Sequence, residues 1–237
     1  MLLAIDTATR SMSLAIHSGV QLLAEQTCVA GNQQNSQLAP SIHQLAARCG
    51  VSLSDLTAVA VCTGPGSYTG LRVGVALAKG IAMTAGIPLL PVPTLNILAA
   101  GVTHYKPASL LVAIVQAGRG RIIVGHYRRK ANNWHIETES YITDWDNLLA
   151  GLEPGKYLFT GEINEAGEAA IAAADENVQI TTVSVSERAR RAGNLAELAW
   201  GALCEAGAHM GQPLPEDIQQ TFKPALVQPV YLKSTTD

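Results

Sequence analysis

Charged and aromatic residues are scarce in this 237-residue sequence. Charged residues make up 15% of the chain and aromatic residues 5%, whereas hydrophobic residues make up 48%. The formal net charge is −3, so the chain lacks the excess of lysine and arginine with which a protein grips nucleic acid on its own. The large hydrophobic fraction predicts a substantial core and counts against disorder.

The sequence also lacks the motifs that mark metal sites, disulfides and membrane segments. Its four cysteines include no CxxC pair, and its six histidines include no HxxxH or HExxH pair. No apolar run approaches the ~20 residues that span a bilayer, and the first residues carry no basic region of a signal peptide. We therefore expect a soluble cytoplasmic protein with reduced cysteines, no metal site and no contact with a membrane.

Hydrophobic periodicity predicts the same order of elements in both halves of the chain. Each half contains three strands, a helix, a strand, a helix and a further strand, which predicts a duplicated α/β fold. The boundary near residues 103–106 gives lobes of residues 1–104 and 105–237. A long amphipathic helix is predicted at residues 187–206. The proline-rich tail from about residue 211 is predicted to be largely extended and to dock back on the body.

A glycine-rich turn at residues 63–72 separates a buried strand from an apolar helix predicted at residues 71–85. Its glycines are Gly64, Gly66 and Gly70. A Walker loop would need a lysine after the last glycine, where Leu71 and Arg72 stand, and the GxGxxG fingerprint would need one residue fewer. Two interpretations stay open. The turn is an unspecialised anion site at a helix N-terminus, or it is rich in glycine so that strand and helix pack tightly.

The helix after the turn carries a ridge of small residues at helical spacing, formed by Gly70, Gly74, Ala78 and Ala82. A ridge of this kind lets another helix approach closely. An apolar helix of a water-soluble chain lies in the core or faces a partner subunit, and both interpretations stay open.

Asp6 ends the first predicted strand and is followed by Thr7 and Thr9. This combination could hold hydrated Mg²⁺ and a nucleotide phosphate, or Asp6 could simply accept hydrogen bonds within a turn. A phosphoryl-transfer site in a duplicated fold would need a second carboxylate at the equivalent strand end, where Gln116 stands. The candidate nucleotide-binding residues, a weak and vestigial set, are Asp6, Thr7, Thr9, Gly64 and Gly66.

One basic cluster is a candidate for contact with RNA. It consists of Arg119, Arg121, Arg128, Arg129 and Lys130. The alternative is a solvated face of a β-hairpin, which the pattern favours.

Three segments of the sequence resemble the TsaB (YeaZ) family. They are LAIDTAT at residues 3–9, GPGSYTGLRVG at residues 64–74 and PVYLK at residues 229–233, and the middle segment is the most specific. The resemblance implies an actin/Hsp70-like (ribonuclease H-like) fold, in which two lobes each contain a mixed sheet flanked by helices. It also implies a role in the threonylcarbamoyl modification of adenosine 37 in tRNAs that read codons beginning with A.

The resemblance further implies that the chain is a non-catalytic scaffold paired with the catalytic subunit TsaD and, in a ternary complex, with the ATPase TsaE. A homodimer through the N-terminal lobe is an alternative assembly, and tRNA would be contacted only indirectly. ATP, Mg²⁺ and a metal are expected in the partner subunits, and no cofactor in this chain. The expected partner interface consists of residues from the two helices of the first lobe, Leu38, Ile42, Leu45, Tyr68, Leu71, Gly74, Val75, Ala78 and Ala82.

The chain departs from the family pattern at three places. Asn35 stands where many relatives have histidine, residues 115–118 read VQAG in place of IDAR, and residues 121–123 read RII in place of acid-hydrophobe-tyrosine. These departures count against nucleotide or substrate binding by the second lobe. The alternative function is an active enzyme, either an ATP-dependent kinase of the actin-like superfamily or a peptidase-like enzyme.

Overall fold

The structure is a computed structural model, and it describes residues 1–31, 33–103, 109–131, 133–209 and 212–232. The strands are β1 (Leu2–Asp6), β2 (Ser11–His17), β3 (Leu22–Val29), β4 (Ala58–Gly64), β5 (Leu89–Pro93), β6 (Leu110–Gly118), β7 (Arg121–Lys130), β8 (Asn133–Thr143), β9 (Gly155–Gly161) and β10 (Val178–Thr182). The helices are α1 (Gln34–Arg48), α2 (Tyr68–Ala85), α3 (Thr94–Ala100), α4 (Trp145–Ala150), α5 (Glu165–Ala172), α6 (Val185–Arg188), α7 (Ala192–Glu205) and α8 (Glu216–Thr221).

The ten strands within the described ranges form two five-stranded sheets with the same topology. The first sheet has the order β3-β2-β1-β4-β5, and the second has the corresponding order β8-β7-β6-β9-β10. In each sheet the central strand pairs antiparallel with the strand that follows it and parallel with the fourth strand of its set. The predicted duplication of element order is therefore confirmed as a duplication of topology.

The chain divides into two compact units. The first contains Met1–Ile97 and Arg191–Tyr231, and the second contains Leu98–Arg190 with Leu232. This division differs from the predicted lobes of residues 1–104 and 105–237, because the chain returns to the first unit after Arg190. Of the predicted boundary at residues 103–106, residues 104–106 lie outside the described residues.

The core of the first unit has a layer on each face of its sheet. Alternate residues of β1 point to opposite faces, and all five residues of the strand are buried. Leu3 and Ile5 join the cluster that contains the inner faces of α1 and α2. Leu2 and Ala4 join the cluster that contains the apolar residues of α7. Helix α7 therefore belongs to the first unit, because its apolar face is buried against that sheet.

The core of the second unit lies between its sheet and the helices α4 and α5. Phe159 and Val124 from the strands pack with Trp145 and Leu148 from α4. Asn164 caps α5 through Gly167 N–H, and its amide oxygen also accepts from Trp145 Nε1–H at 3.2 Å. The Asn164 side chain thus connects the start of α5 to α4.

The helix predicted at residues 187–206 is two helices, and the reason lies in contacts that the sequence pattern does not contain. The backbone of Ala189 is extended and separates α6 from α7. Helix α7 then begins at Ala192, whose N–H donates to Ser13 Oγ at 2.8 Å, while Gly193 N–H donates to Glu25 Oε1 at 2.7 Å. Side chains of β2 and β3 thus satisfy the free N–H groups at the start of α7.

The tail packs on the first unit, but it is less extended than predicted. It contains α8 and a short 3-10 turn, Pro224–Leu226. Phe222 accepts a hydrogen bond from Leu89 N–H of β5 at 2.9 Å. Since β5 is an edge strand, the tail pairs with a backbone group that the sheet leaves open.

Candidate functional site: the glycine turn and helix α2

The glycine turn connects β4 to α2 and is shaped by local capping. Ser67 is the N-cap residue, and its Oγ accepts from Gly70 N–H at 3.3 Å. Gly86 ends the helix in the left-handed conformation, with φ of 66°. Helix α2 thus begins three residues earlier than the hydrophobic pattern predicts, because the cap rather than the first apolar residue sets its start.

Gly66, Gly70 and Gly74 lie against the β1–β2 loop. A Cβ at Gly66 would collide with the Ala8 carbonyl oxygen, and a Cβ at Gly70 would collide with the Thr7 carbonyl oxygen. One turn further along α2, a Cβ at Gly74 would collide with Thr7 Oγ1. Neighbouring protein atoms therefore occupy the space that a side chain would need at these positions. Of the two interpretations of the turn, the geometry favours tight packing.

The candidate nucleotide-binding residues are brought together, and their polar groups bond to the protein itself. Asp6 Oδ1 accepts from Ala8 N–H at 2.9 Å, and the Thr7 hydroxyl donates to the Gly70 carbonyl oxygen at 2.7 Å. The Thr9 carbonyl oxygen accepts from the side chain of Gln34. Asp6 and Thr7 are essentially inaccessible to solvent. The turn donates Ser67 N–H to the Ala8 carbonyl oxygen, so one N–H of the proposed anion site already has a partner.

The predicted interface residues lie mainly in the core of the first unit. This burial corrects the prediction, because it assigned the inner face of the two helices to a partner. Tyr68 is exposed over 56% of its surface. The other eight residues are buried: Leu38, Ile42, Leu45, Leu71, Gly74, Val75, Ala78 and Ala82. Their ridge of small residues lets α2 approach the sheet and the Thr7 side chain closely. Apolar and small residues at helical spacing are typical of a helix packed in the core as well as of a helix at an interface.

The outward face of α2 is the part of this helix that solvent reaches. Arg72, Ala76, Gly80 and Met83 are exposed, and the second apolar ridge of Val73, Leu77 and Ile81 is partly buried. This face carries two cationic side chains, Arg72 and the partly exposed Lys79, and its exposed residues Ala76, Gly80 and Met83 are apolar. Such a face on a protein surface is a candidate for contact with another subunit.

At the end of β6 in the second unit, Gln116 occupies the place of the missing carboxylate and is bonded to Glu162. Its backbone N–H donates to Glu162 Oε2 at 2.9 Å, and its Nε2 donates to the Glu162 carbonyl oxygen at 2.8 Å. Glu162 Oε1 also lies 3.6 Å from the guanidinium of the buried Arg190. Sequence reasoning missed this glutamate. The prediction looked for a carboxylate at the end of β6, where the sequence reads VQAG, whereas the carboxylate follows the neighbouring strand β9.

The predicted basic cluster does not form a single patch. Arg119 and Arg121 lie at the β6–β7 turn, whereas Arg128 and the residues after it lie at the other end of β7, roughly 23 Å away at ~3.3 Å per strand residue. Arg128 pairs with Glu137 at 2.9 Å, and the Arg129 guanidinium lies 5.2 Å from the Trp134 ring centre. These contacts agree with the alternative of a solvated hairpin face.

Four side chains of the second unit have shifted pKa values, and burial or hydrogen bonding causes each shift. Burial lowers the pKa of His126 and raises the pKa of Tyr141, whose hydroxyl lies 3.0 Å from His126 Nε2. Hydrogen bonds from Asn147 lower the pKa of Asp144, which caps α4. Burial also raises the pKa of Tyr127. None of these groups belongs to the predicted nucleotide-binding set.

The residues that the structure describes contain no group of three or more histidine, cysteine, aspartate or glutamate side chains arranged to hold a metal ion. Over the same ranges, no helix has both the length and the apolar character needed to cross a bilayer.

Comparison with known proteins decides the family. The family model described as "TsaD: tRNA N6-adenosine threonylcarbamoyltransferase" matches residues 28–233. The chain belongs to the TsaB/TsaD family. A TsaB protein of Buchnera aphidicola subsp. Schizaphis graminum is 32% identical over 148 residues, which cover 60% of this chain and 68% of that protein. The Escherichia coli TsaB protein is 34% identical over 144 residues, or 60% of this chain and 62% of that protein.

Solved structures confirm the predicted fold of this TsaB/TsaD family member. YeaZ from Pseudomonas aeruginosa superposes with a TM-score of 0.75 at 22% identity, covering 98% of this chain and 99% of that one. The (R)-2-hydroxyglutaryl-CoA dehydratase component A of Acidaminococcus fermentans superposes with a TM-score of 0.50 at 13% identity, covering 85% and 98%. Together with the duplicated topology, these likenesses confirm the actin/Hsp70-like fold class. The sequence match to E. coli TsaB spans less than two thirds of that relative's length.

Proposed function

We propose that this chain is a TsaB-type subunit of the machinery that places the threonylcarbamoyl group on adenosine 37 of tRNAs reading codons that begin with A. It acts in the cytoplasm as a non-catalytic partner of a TsaD subunit, joined by TsaE in a ternary complex. ATP, Mg²⁺ and a metal belong to the partners, and this chain needs no cofactor. The matches to proteins named TsaB support the role in threonylcarbamoyladenosine biosynthesis.

The observation that carries the non-catalytic part of the proposal is the packing of the glycine turn. The N–H of Ser67 and the hydroxyl of Thr7 are bonded to neighbouring backbone oxygens, and the glycines have protein atoms where a ligand would approach. A phosphate would have to displace these buried contacts, each of which costs about 1–3 kcal/mol to leave unmade. We therefore assign the turn to holding α2 in place.

The outward face of α2 is the proposed contact with TsaD. Its small exposed residues, Ala76 and Gly80, would let a helix of the partner approach closely, and Met83 extends the apolar surface. The same face could pair two copies of this chain when TsaD is absent. Contact with tRNA is then indirect, through TsaD, which agrees with the separation of the basic residues along β7.

A binding experiment with purified TsaD from the same organism tests the partner role. We expect the full chain to bind TsaD. The Ala76→Glu variant should bind about 100-fold more weakly, because the long glutamate side chain prevents the close approach of the partner helix. The matched control is Ala166→Glu, at another exposed alanine, on α5 in the second unit. Unaltered binding by Ala76→Glu would contradict the proposed face, and absence of binding by the parent chain would contradict the partner role.

Calorimetric titration of the isolated chain with ATP and Mg²⁺ separates this proposal from the kinase alternative. We expect no binding tighter than about 1 mM, because the candidate site is filled by its own hydrogen bonds. Micromolar binding of ATP accompanied by its turnover would support the kinase alternative instead. Cleavage of peptide substrates by the purified chain would likewise favour the peptidase-like alternative.

A further inference from the structure

The tail is fixed to the first unit through its backbone over nine residues, from Phe222 to Val230. Its Val230 N–H donates at 2.7 Å to the carbonyl oxygen of Thr63, the first residue of the glycine turn. Between the two ends, the Ala225 carbonyl oxygen accepts from Lys79 Nζ of α2 at 3.3 Å, and Val227 is buried in the core. The tail therefore follows α2 along one side and is held in place without help from Tyr231.

Tyr231 lies against the first residue of α2. Its ring centre is 5.1 Å from that of Tyr68, with the two planes inclined at 36°. The Arg72 guanidinium lies 4.0 Å from the Tyr68 ring centre, within the range of a cation–π interaction. Tyr68 is thus contacted by both a tyrosine and an arginine, while Tyr231 itself remains 42% exposed.

The cluster of Tyr68, Arg72 and Tyr231 has the composition of a binding hot spot. Tyrosine and arginine are enriched among the residues that dominate binding energy, and rings that are already ordered lose little conformational freedom when a partner binds. The cluster also adjoins the outward face of α2, and the tail adds the exposed Val230 and Leu226 to the same region. The surrounding apolar surface is larger than α2 alone provides.

We propose that Tyr231 and the tail are part of the partner-binding face, so that TsaD contacts a surface built from α2 and from the end of the chain. This inference rests on the proposed function, because it takes TsaD as the occupant. TsaD is the occupant because the cluster is continuous with the outward face of α2, whose first residue, Arg72, is itself a member of the cluster. The inference adds a second segment of the chain to an interface otherwise confined to helices.

Tyr231→Ala tests the inference in the full-length chain, by titration against purified TsaD. We expect binding to weaken about 10–100-fold, in the range of a tyrosine hot spot. Tyr231→Phe keeps the ring and should stay within about threefold of the parent. The matched control is Tyr141→Ala in the second unit, which removes a tyrosine of nearly equal exposure, 41%, that also contacts another ring. This control should bind TsaD as tightly as the parent.

Thermal unfolding of the same variants separates binding from folding. Because the tail is held by its backbone and Val227, Tyr231→Ala should lower the midpoint by no more than about 2 °C. If Tyr231→Ala binds TsaD as the parent does, while Ala76→Glu does not, the inference fails and the proposed function stands. If the parent does not bind TsaD at all, both fail. A loss of affinity equal to that of Tyr141→Ala also overturns the role of Tyr231.

Discussion

Alanine at Gly74 should destabilise the protein, whereas alanine at Gly80 should stabilise it. Both glycines lie in the interior of α2, six residues apart, and replacing a helical glycine with alanine gains about 1 kcal/mol from backbone entropy. A Cβ at Gly80 meets no atom within 4 Å. A Cβ at Gly74 would collide with Thr7 Oγ1, which donates to the Gly70 carbonyl oxygen.

The collision determines the sign of the effect at Gly74. Overpacking costs about 1–3 kcal/mol, and displacing the buried Thr7 hydroxyl from its acceptor costs about 1–3 kcal/mol more. After the helix gain of about 1 kcal/mol, Gly74→Ala should lose roughly 1–5 kcal/mol of unfolding free energy. Gly80→Ala should gain up to about 1 kcal/mol, so the two variants should move in opposite directions.

Urea denaturation followed by circular dichroism measures this difference. Gly201→Ala in α7 provides a second open position, because its Cβ also meets nothing within 4 Å. If Gly74→Ala raises the denaturation midpoint as Gly80→Ala does, then Thr7 does not lie against α2. That result would refute the interpretation that the glycines serve tight packing, and it would favour the anion-site interpretation.

Three further changes test other parts of the structure. Glu162→Ala should cost about 1–3 kcal/mol, measured by urea denaturation, because it removes the acceptor of Gln116 N–H and the carboxylate 3.6 Å from Arg190. A loss below about 0.5 kcal/mol would contradict these contacts. Ser13→Ala should cost about 1 kcal/mol in the same assay, since its Oγ caps α7 at Ala192. Burial lowers the pKa of His126, so its contribution to stability is present above the unfolded pKa and is lost as the pH falls towards the folded pKa. His126→Gln should therefore reduce the drop in thermal midpoint between about pH 7.5 and pH 5.5, and an unchanged drop would contradict this.

The order of strands and helices could be predicted from the sequence because it depends on local periodicity. The valine-rich strand before the glycine turn and the capped ends of the helices are all signalled by neighbouring residues. The topology of both sheets then follows the element order in each half. Helix α7 shows the limit, because its apolar face fits either sheet in principle and only the three-dimensional packing assigns it to the first.

The position of the candidate site could be predicted from the sequence, but the groups that pack against its residues could not. The spacing of Gly70, Gly74 and Ala78 predicts a close approach, and the structure shows that the approaching group is the β1–β2 loop rather than a partner. The contact between Tyr68 and Tyr231 joins segments 163 residues apart and leaves no local pattern. The same is true of Glu162 and Arg190, whose pairing depends on how the second unit folds.

The central claim is that this chain supports threonylcarbamoyl transfer without taking part in its chemistry. The direct measurement is the yield of modified adenosine when tRNA and threonylcarbamoyl-adenylate, the group donor, are combined with TsaD, TsaE and the Asp6→Asn variant of this chain. Asparagine keeps an oxygen that can accept from Ala8 N–H but removes the charge that a nucleotide-bound Mg²⁺ would need. The yield should depend on adding this chain and should stay within about twofold of the parent with Asp6→Asn. A loss of about tenfold or more in a variant that still folds and binds TsaD would show that Asp6 takes part in the reaction.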